Sequence, residues 1–440
     1  MKDQKRRKKR SNFILSFAIV FTFVVLFGIF GIMYYQWVYV EKETSLSLQS
    51  SADREASSSD LNTASGGGEE SGRFKPVVEP IPVSEEIIQV SDETAQEKGR
   101  YDDILQNITY MEENNIYIKE AEDEERITIT FAGDILFDPN YRIMATLLQN
   151  GGNIENAISA DLLAEMRSAD IMMINNEFPY SNRGEPLEDK AFTFRAAPSS
   201  VSYLHDMGVD IVSLANNHAY DHGEDALLDT FTTLKEAGIP YVGAGVNEAE
   251  AVRPVYYIIN DMKIAFLSAT QIERLDNPDT KAATENSPGV FRCWNGEKLL
   301  QAVREAKEQS DFVIVYVHWG TENVVETDWA QEKQAPELAE AGADLVIGDH
   351  PHILQRIGVA NDTPVMYSLG NFWFSSKTLD TGMVKVTLTE DGLESFQFIP
   401  CLQNGCRTSL LYGEEKERVL SMMRDISVGV TIDADGYVTW

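Results

Sequence analysis

The chain has 440 residues with 37 Lys or Arg and 70 Asp or Glu, which gives a formal net charge of −33 at pH 7. Seven of the basic residues but only one acidic residue lie before residue 41, so the rest of the chain carries 30 basic and 69 acidic residues. A surface with this excess of acid repels nucleic acid and anionic lipid at long range, which excludes nucleic acid as a partner. The same charge attracts divalent cations and helps to keep the protein soluble.

An apolar run near the N-terminus predicts a membrane anchor. Residues 11–40 contain no charged side chain, and residues 13–35 are almost wholly apolar. As a helix, this stretch would be about 35 Å long, which exceeds a hydrocarbon core of about 30 Å. A cleaved signal peptide is the alternative, but its apolar region is normally about 7–15 residues long and ends in small residues. Here the run is longer and ends in aromatic side chains that suit a membrane interface.

The basic cluster before this run sets the predicted orientation. Because positive residues stay on the cytoplasmic side, we predict a cytoplasmic tail over residues 1–11 and a transmembrane helix over 12–37. The protein would then be a single-pass cell-membrane protein whose later residues are extracellular. Residues 41 to about 100 are rich in Ser, Glu, Thr and Gly, for example in SSADREASSSD, and residues 98–124 are strongly acidic and could contain a short helix. We predict a disordered acidic stalk over residues 38–125.

The pattern from residue 126 onward predicts one large α/β domain over 126–440. Apolar, β-rich runs end in polar residues: ITITFAGD, ADIMMINNE, VDIVSLANNH, KIAFLSAT, DFVIVYVHWG, ADLVIGDHPH and PVMYSLGNF. Helical patterns fall between the runs, for example over 160–167, 223–237, 296–309 and 331–340. In such an alternating fold, ligands bind beyond the carboxyl ends of the strands.

Polar side chains at five of these strand ends predict a metal site. They are Asp134, Glu177, Asn217, His218, His318, His350 and His352. A single histidine after a strand is usually structural, but four of the six histidines in the chain occupy such positions. Carboxylate, amide carbonyl and neutral imidazole together suit Mn, Fe or Zn, one or two ions, with no thiolate among the ligands.

The three cysteines are Cys293, Cys401 and Cys406. Three cysteines cannot make a disulfide framework, and their spacing is not that of a zinc site. An oxidising exterior would permit a local disulfide between Cys401 and Cys406.

Seven short strings resemble, in order, the CapA/PgsA family of bacterial capsule-synthesis proteins, which is associated with poly-γ-glutamate production. They are GD, NNE, FRAAP, NNHAYDHG, HWG, GDHPH and YSLGNF, between about residues 126 and 400. That family is similar to calcineurin-like metallophosphoesterases. The resemblance therefore implies a four-layer α/β/β/α sandwich with a two-metal centre.

The resemblance assigns a role to each polar strand end. It implies that Asp134 and His352 bind a first metal and that Glu177 bridges to a second. The ligands of the second metal would then be Asn217, His318 and His350.

The resemblance also implies roles for two more residues, and at one motif this sequence departs from the phosphoesterase pattern. His218 matches the position that protonates a leaving group, and Asp221 is placed to orient its imidazole. The phosphoesterases usually have Asp-x-His at the first motif, whereas Asp134 is followed by Ile135 and Leu136. The first metal would lose one imidazole, so a one-metal site is an alternative to a two-metal site.

Three further residues are candidate substrate contacts. Arg195 in FRAAP could clamp an anionic group or could form a structural ion pair. Glu322 follows HWG, and Asn371 lies in LGNF, where it could fix the loop backbone near the site.

Two functions remain open from the sequence. One is a metal-dependent hydrolase outside the membrane, acting on a phosphoester or on an amide bond of an anionic polymer or cell-wall component. The other is a non-catalytic, metal-dependent binding or export subunit that acts with the membrane subunits of a polyglutamate synthase. The chain has no GxxxxGK[ST] motif, so it would not itself energise amide synthesis. The sequence is compatible with both an enzyme and a non-catalytic subunit.

Overall fold

The computed structural model describes residues 99–188, 190–272 and 280–440. The predicted cytoplasmic tail, the predicted transmembrane helix and the first part of the predicted stalk lie outside these residues. In the part of the chain that the structure describes, no helix has the length and apolarity needed to cross a bilayer.

Helices and strands alternate along most of the described chain. The helices are α1 (Asp102–Leu105), α2 (Ile108–Glu113), α3 (Arg142–Gln149), α4 (Ala160–Arg167), α5 (Ser202–Met207), α6 (Gly223–Glu236), α7 (Glu248–Val252), α8 (Glu297–Gln309), α9 (Trp329–Ala341) and α10 (Gly413–Ile426). The first strands are β1 (Ile116–Ile118), β2 (Ile127–Ile135), β3 (Ile171–Asn176), β4 (Ile211–Ser213), β5 (Tyr241–Val242), β6 (Ala244–Gly245), β7 (Val255–Ile259), β8 (Met262–Thr270), β9 (Gly289–Val290) and β10 (Phe312–His318). The later strands are β11 (Leu345–Asp349), β12 (Ile357–Ala360), β13 (Thr363–Met366), β14 (Asn371–Trp373), β15 (Leu379–Thr389), β16 (Gly392–Asn404), β17 (Arg407–Leu410), β18 (Thr431–Ile432) and β19 (Val438–Thr439).

Most of the strands belong to two large sheets. One has the order β1-β7-β8-β10-β11-β13-β12, and the run from β8 to β13 is parallel. The other has the order β17-β16-β15-β2-β3-β4-β5, in which β2 to β5 are parallel and β14 also pairs with β2. Every predicted strand run contains a strand of one of these sheets, and the four predicted helices are all present. The prediction of an α/β fold is confirmed.

Three apolar clusters show how the layers pack. One joins the facing sides of the two sheets, with Phe131 from one sheet and Ile314 from the other. A second lies between the β2-containing sheet and helices α3 to α6, where Leu163 and Leu234 are buried. The third lies between the β10-containing sheet and helices α8 and α9, where Val303 is buried. The order is therefore helix, sheet, sheet, helix.

Strand β10 shows why the central strands form where they do. All seven residues of its sequence FVIVYVH are buried, because one face packs on the second sheet and the other on helices. The following helix α9 is capped by Asp328, whose carboxylate accepts from the backbone N–H of Ala330 and Gln331. The Gln331 side chain in turn accepts from the Asp328 N–H, which completes a capping box that ends the loop after His318.

The predicted stalk boundary at residue 125 is wrong for residues 102–118. Here α1, α2 and β1 form, and β1 pairs in parallel with β7, with Ile116 opposite Tyr256. Ile116 is buried, and the Arg253 guanidinium donates to the carbonyl of Glu113. A three-residue strand is too short to show a period in an acidic segment, and its partner lies more than a hundred residues away along the chain.

The three cysteines are all buried, and Cys401 and Cys406 are free thiols. The local disulfide that the spacing of Cys401 and Cys406 would allow is not formed. Cys401 lies within β16, opposite Leu410 of β17, whereas Cys406 lies in the turn between these strands with a φ of 69°.

Gly133 allows β2 and β14 to approach closely beside the strand ends. A Cβ at this position would lie 1.9 Å from the backbone oxygen of Gly370, so the two strands would have to separate. We expect Gly133→Ala to lower the free energy of unfolding by about 1–3 kcal/mol, measured by urea denaturation. Gly296→Ala is the matched control, because nothing lies within 4 Å of its Cβ position. Equal losses of stability in the two variants would contradict the expectation.

Candidate metal centre

The six predicted metal ligands meet at the carboxyl ends of strands from both sheets. Asp134 lies near the end of β2, and Glu177 directly follows β3. His318 is the last residue of β10 in the other sheet, and His350 directly follows β11. The ligands form three overlapping groups, and within each group the ligand atoms lie within 4.8 Å of one another. The groups are Glu177 with His318 and His350, Asp134 with Glu177 and His352, and Asp134 with His318 and Asp349. The six ligands come together because two sheets face each other, and not because they lie on one parallel sheet.

His318 is the centre of one group of potential ligands. Its Nε2 atom lies 2.9 Å from Asn217 Oδ1 and 3.0 Å from His350 Nδ1. Glu177 Oε1 is 3.6 Å from the same nitrogen. Because Nδ1 of His318 lies 2.7 Å from Asp349 Oδ1 and donates its proton there, Nε2 presents a lone pair to this group.

Asp134 is the centre of the second group. Its Oδ2 atom lies 3.0 Å from Nδ1 of His352. The Asn371 side-chain oxygen lies 2.8 Å from the same nitrogen. Glu177 belongs to both groups, as a bridging carboxylate would.

The loop after β11 turns both of its histidines toward the site. His350 has a φ of 93° and His352 a φ of 60°, which is the left-handed region that non-glycine residues rarely adopt. In an extended strand, two residues that are two apart would share one face and could not reach separate groups in this way. Backbone strain of this kind is often found at functional sites.

Three fully buried carboxylates lie together at the centre: Asp134, Glu177 and Asp349. Neither side-chain oxygen of Glu177 has a hydrogen-bond partner. Burial raises the pKa of Glu177 well above its usual value, and the charges of Asp134 and Asp349 raise it further. Burial also works to raise the pKa of Asp134, but the hydrogen bond and charge of His352 lower it overall. Buried, unpaired oxygens beside imidazole nitrogens fit a divalent cation, which would satisfy both their charge and their lone pairs.

Two of the three ligand imidazoles are held in the neutral form that binds metal. Burial lowers the pKa of His318 to about 3. Burial and the neighbouring histidines lower the pKa of His350 well below its usual value. His352 differs, since the hydrogen bond and charge of Asp134 outweigh burial and raise its pKa.

His218 lies beside the metal-ligand groups and is oriented by Asp221. Its Nδ1 atom is 2.7 Å from Asp221 Oδ2, and its Nε2 atom is 4.0 Å from Glu177 Oε1. Lys190 donates to the other oxygen of Asp221 over 2.5 Å and also to the backbone carbonyl of Asn217. Burial lowers the pKa of His218, although the charge of Asp221 opposes this.

The candidate substrate residues have different positions. Asn371 is buried and contacts His352, so it belongs to the site. Glu322 is exposed in the loop after His318, and its charge contributes to the raised pKa values of Glu177 and His352. The Arg195 guanidinium donates to the backbone carbonyls of Arg183 and Gly184, so it supports a turn, and its role as a clamp for an anionic group stays a prediction.

Sequence reasoning missed four residues of the site. Asp349 lies in GDHPH and Asn175 in NNE, so their positions at strand ends could have identified them. Asn216 links the two neighbouring strand ends, because its side chain donates to Asn175 Oδ1 over 2.9 Å and accepts from the N–H of His218. Lys190 lies in a loop without periodicity, and no sequence signal pointed to it.

The chain matches a known family over most of this domain. Residues 128–376 match the family model described as "Bacterial capsule synthesis protein PGA_cap". The chain is 29% identical over 319 residues to "Capsule biosynthesis protein CapA" of Bacillus anthracis, covering 70% of this chain and 75% of that protein. It is 30% identical over 282 residues to "PGA biosynthesis protein CapA" of Bacillus subtilis (strain 168), covering 63% and 72%.

A more distant relative and two solved structures are also similar. A "Probable polyglutamine synthesis accessory protein" of Mycobacterium tuberculosis is 28% identical over 213 residues, covering 47% of this chain and 56% of that protein. TT1561 of Thermus thermophilus has a TM-score of 0.32 at 11% identity, covering 61% of this chain and 97% of its own. The 5'-nucleotidase from Candida albicans SC5314 has a TM-score of 0.33 at 9% identity, covering 64% and 53%.

Proposed function

The chain belongs to the bacterial capsule synthesis protein family, and from this premise we propose that it is a metal-dependent hydrolase in capsule or poly-γ-glutamate production. Its catalytic unit is the α/β domain, and its ligands are those of the two groups that share Glu177. The substrate is a phosphoester, or an amide of an anionic polymer or cell-wall component.

One observation supports catalysis above simple metal binding. The Nε2 atom of His218 lies beside Glu177, while its Nδ1 atom is held by Asp221. A residue with this arrangement can deliver a proton from Nε2 to a leaving group next to the metal ligands. Lys190 holds the second oxygen of Asp221 and keeps the carboxylate in place.

The remaining residues of the site would bind the metal ions or shield the imidazoles from water. Asp134, Glu177 and His352 would hold one divalent ion, and Asn217, His318 and His350 would hold the other with Glu177. When bound, such ions polarise a substrate oxygen and lower the pKa of water to generate a nucleophile. Phe194 lies against the His218 ring, with ring centroids 4.2 Å apart, and Phe374 stacks on His352 at 4.9 Å. These aromatic rings limit the access of bulk water to the imidazoles.

The proposal places this domain outside the cell membrane. It rests on the apolar run over 12–37 and on the basic residues that precede it. The membrane and the membrane subunits of a polyglutamate synthase are the proposed partners. Protease treatment of intact cells should release a fragment that contains residues 99–440, and complete protection of the chain would contradict this placement.

A non-catalytic binding or export subunit is the second candidate. It is favoured by Leu136, which is buried in an apolar cluster at the position where the related phosphoesterases have an imidazole. A site with fewer ligands binds a metal ion more weakly and is less suited to catalysis. The relative from Mycobacterium tuberculosis is likewise named an accessory protein.

The two candidates are separated by assaying the full chain, purified in mild detergent. The protein is loaded with Mn or Zn and tested on phosphoesters and on γ-glutamyl amides. We expect turnover that EDTA removes and that added metal restores. A protein that binds metal but turns over neither class, while polymer secretion by cells still requires it, contradicts the hydrolase and supports the accessory role.

A further inference from the structure

Asp349 is a buried carboxylate that the assigned ligand set does not use. It is the last residue of β11 and is fully buried. Its Oδ1 atom accepts from Nδ1 of His318 at 2.7 Å. Its Oδ2 atom has no hydrogen-bond partner.

The surroundings of Asp349 do not suit a purely structural carboxylate. Its ligand oxygen lies within 4.8 Å of ligand atoms of Asp134 and His318. Asp134 Oδ1 accepts from the Asn175 side chain at 2.9 Å, whereas the second oxygen of Asp349 receives no such donor. Leaving a buried polar group without a partner costs about 1–3 kcal/mol, and more for a charged group. A cation shared with Asp134 would remove that cost.

The position of Leu136 explains why an additional ligand is needed. Leu136, two residues after Asp134, is fully buried in the apolar cluster between the β2-containing sheet and helices α3 to α6, and it offers no ligand atom. The first group therefore has only Asp134, Glu177 and His352 from the assigned set. Asp349 reaches Asp134 from the opposite sheet.

We propose that Asp349 is a ligand, through its Oδ2 atom, of the metal ion held by Asp134. Its Oδ1 atom meanwhile fixes the proton of His318 on Nδ1, so that Nε2 faces the second ion. One aspartate thus contributes to both positions, directly to one and through His318 to the other. This inference rests on the metal centre of the proposed function, but it needs no catalytic turnover.

The test measures ions per chain and dissociation constants for Mn in the full-length protein. Wild type is expected to hold two ions. Asp349→Asn keeps an oxygen that can accept from His318 but removes the charge. One ion should therefore be lost, or bind more weakly by more than the roughly 10–100-fold that loss of an outer partner costs, while binding of the other changes little. Asp349→Ala removes both contacts and should weaken the binding of both ions. The matched control is Asp391→Asn, at an exposed hairpin turn between β15 and β16.

Several outcomes would overturn the inference. One is a wild-type protein that holds fewer than two ions at saturation. Another is unchanged metal binding in Asp349→Asn, and a third is an equal loss of affinity for both ions in that variant. The last outcome would mean that Asp349 acts through His318 alone. Folding is monitored by the melting temperature without metal, which should not fall in Asp349→Asn, because a buried charge has been removed. If two ions bind as expected but no substrate turns over, only the hydrolase proposal fails.

Discussion

Replacing Glu177 with glutamine is expected to remove high-affinity metal binding and, at the same time, to stabilise the metal-free protein. Glu177 belongs to both ligand groups, so its charge is needed at each position. Affinity for metal should fall about 1,000-fold, which is more than the roughly 10–100-fold that removal of an outer hydrogen-bond partner costs. Without metal, both Glu177 oxygens are buried with no partner, so a neutral amide should raise the free energy of unfolding by about 1–3 kcal/mol.

The pH dependence of the metal-free protein should change in a defined direction. Burial and two neighbouring carboxylates raise the pKa of Glu177 well above its value in the unfolded chain. Between the two pKa values the folded protein binds more protons, so its free energy of unfolding falls as pH rises through that window. Glu177→Gln should make this decline shallower. It should not abolish it, because burial and the charge of Asp134 also raise the pKa of Asp349.

Titration calorimetry with Mn and urea unfolding with and without EDTA measure these effects. Glu390→Gln is the matched control, since it makes the same change at an exposed position of the β15–β16 hairpin. In wild type, metal at 100 times its dissociation constant should add about 2.7 kcal/mol to the free energy of unfolding. Glu177→Gln that keeps this metal-dependent stabilisation would contradict a bridging role.

Replacing His218 is expected to reduce turnover by about 10²–10⁴-fold while the metal content stays unchanged. His218 contacts Asp221 through Nδ1, and no ligand group includes it. Its loss should therefore remove proton delivery without removing a ligand. His218→Gln keeps polarity at the position but cannot hold and release a proton near neutral pH.

The measurement is kcat and KM of the metal-loaded full chain, with ions per chain measured on the same preparation. His205→Gln is the matched control, because His205 is exposed on α5 outside the site. A large fall in kcat with little change in KM is expected, since proton transfer matters in the transition state and not in substrate binding. Turnover of His218→Gln equal to that of the control would exclude His218 as the acid, and a parallel loss of metal would assign it to binding.

The candidate site was predictable because its residues occupy strand ends. Asp134, Glu177, His318 and His350 follow apolar runs whose β character is visible from local composition. Carboxyl ends of parallel strands meet at one edge of a sheet, which predicted that these side chains converge. They do converge, but from two facing sheets and not from one. Residue type then indicated a divalent metal, since carboxylate, amide and imidazole together suit few other ligands.

The sequence by itself determined the α/β alternation, the family and the six candidate metal ligands, because each depends on local periodicity or on residue type at a strand end. Only the tertiary structure decided which sheet each strand joins, that β1 adds to the β7 edge, and that Asp349 and Lys190 enter the site. It also directed the Arg195 side chain to backbone carbonyls. These features depend on pairing and packing between residues far apart along the chain, and the free energy of such contacts is not encoded in any local pattern.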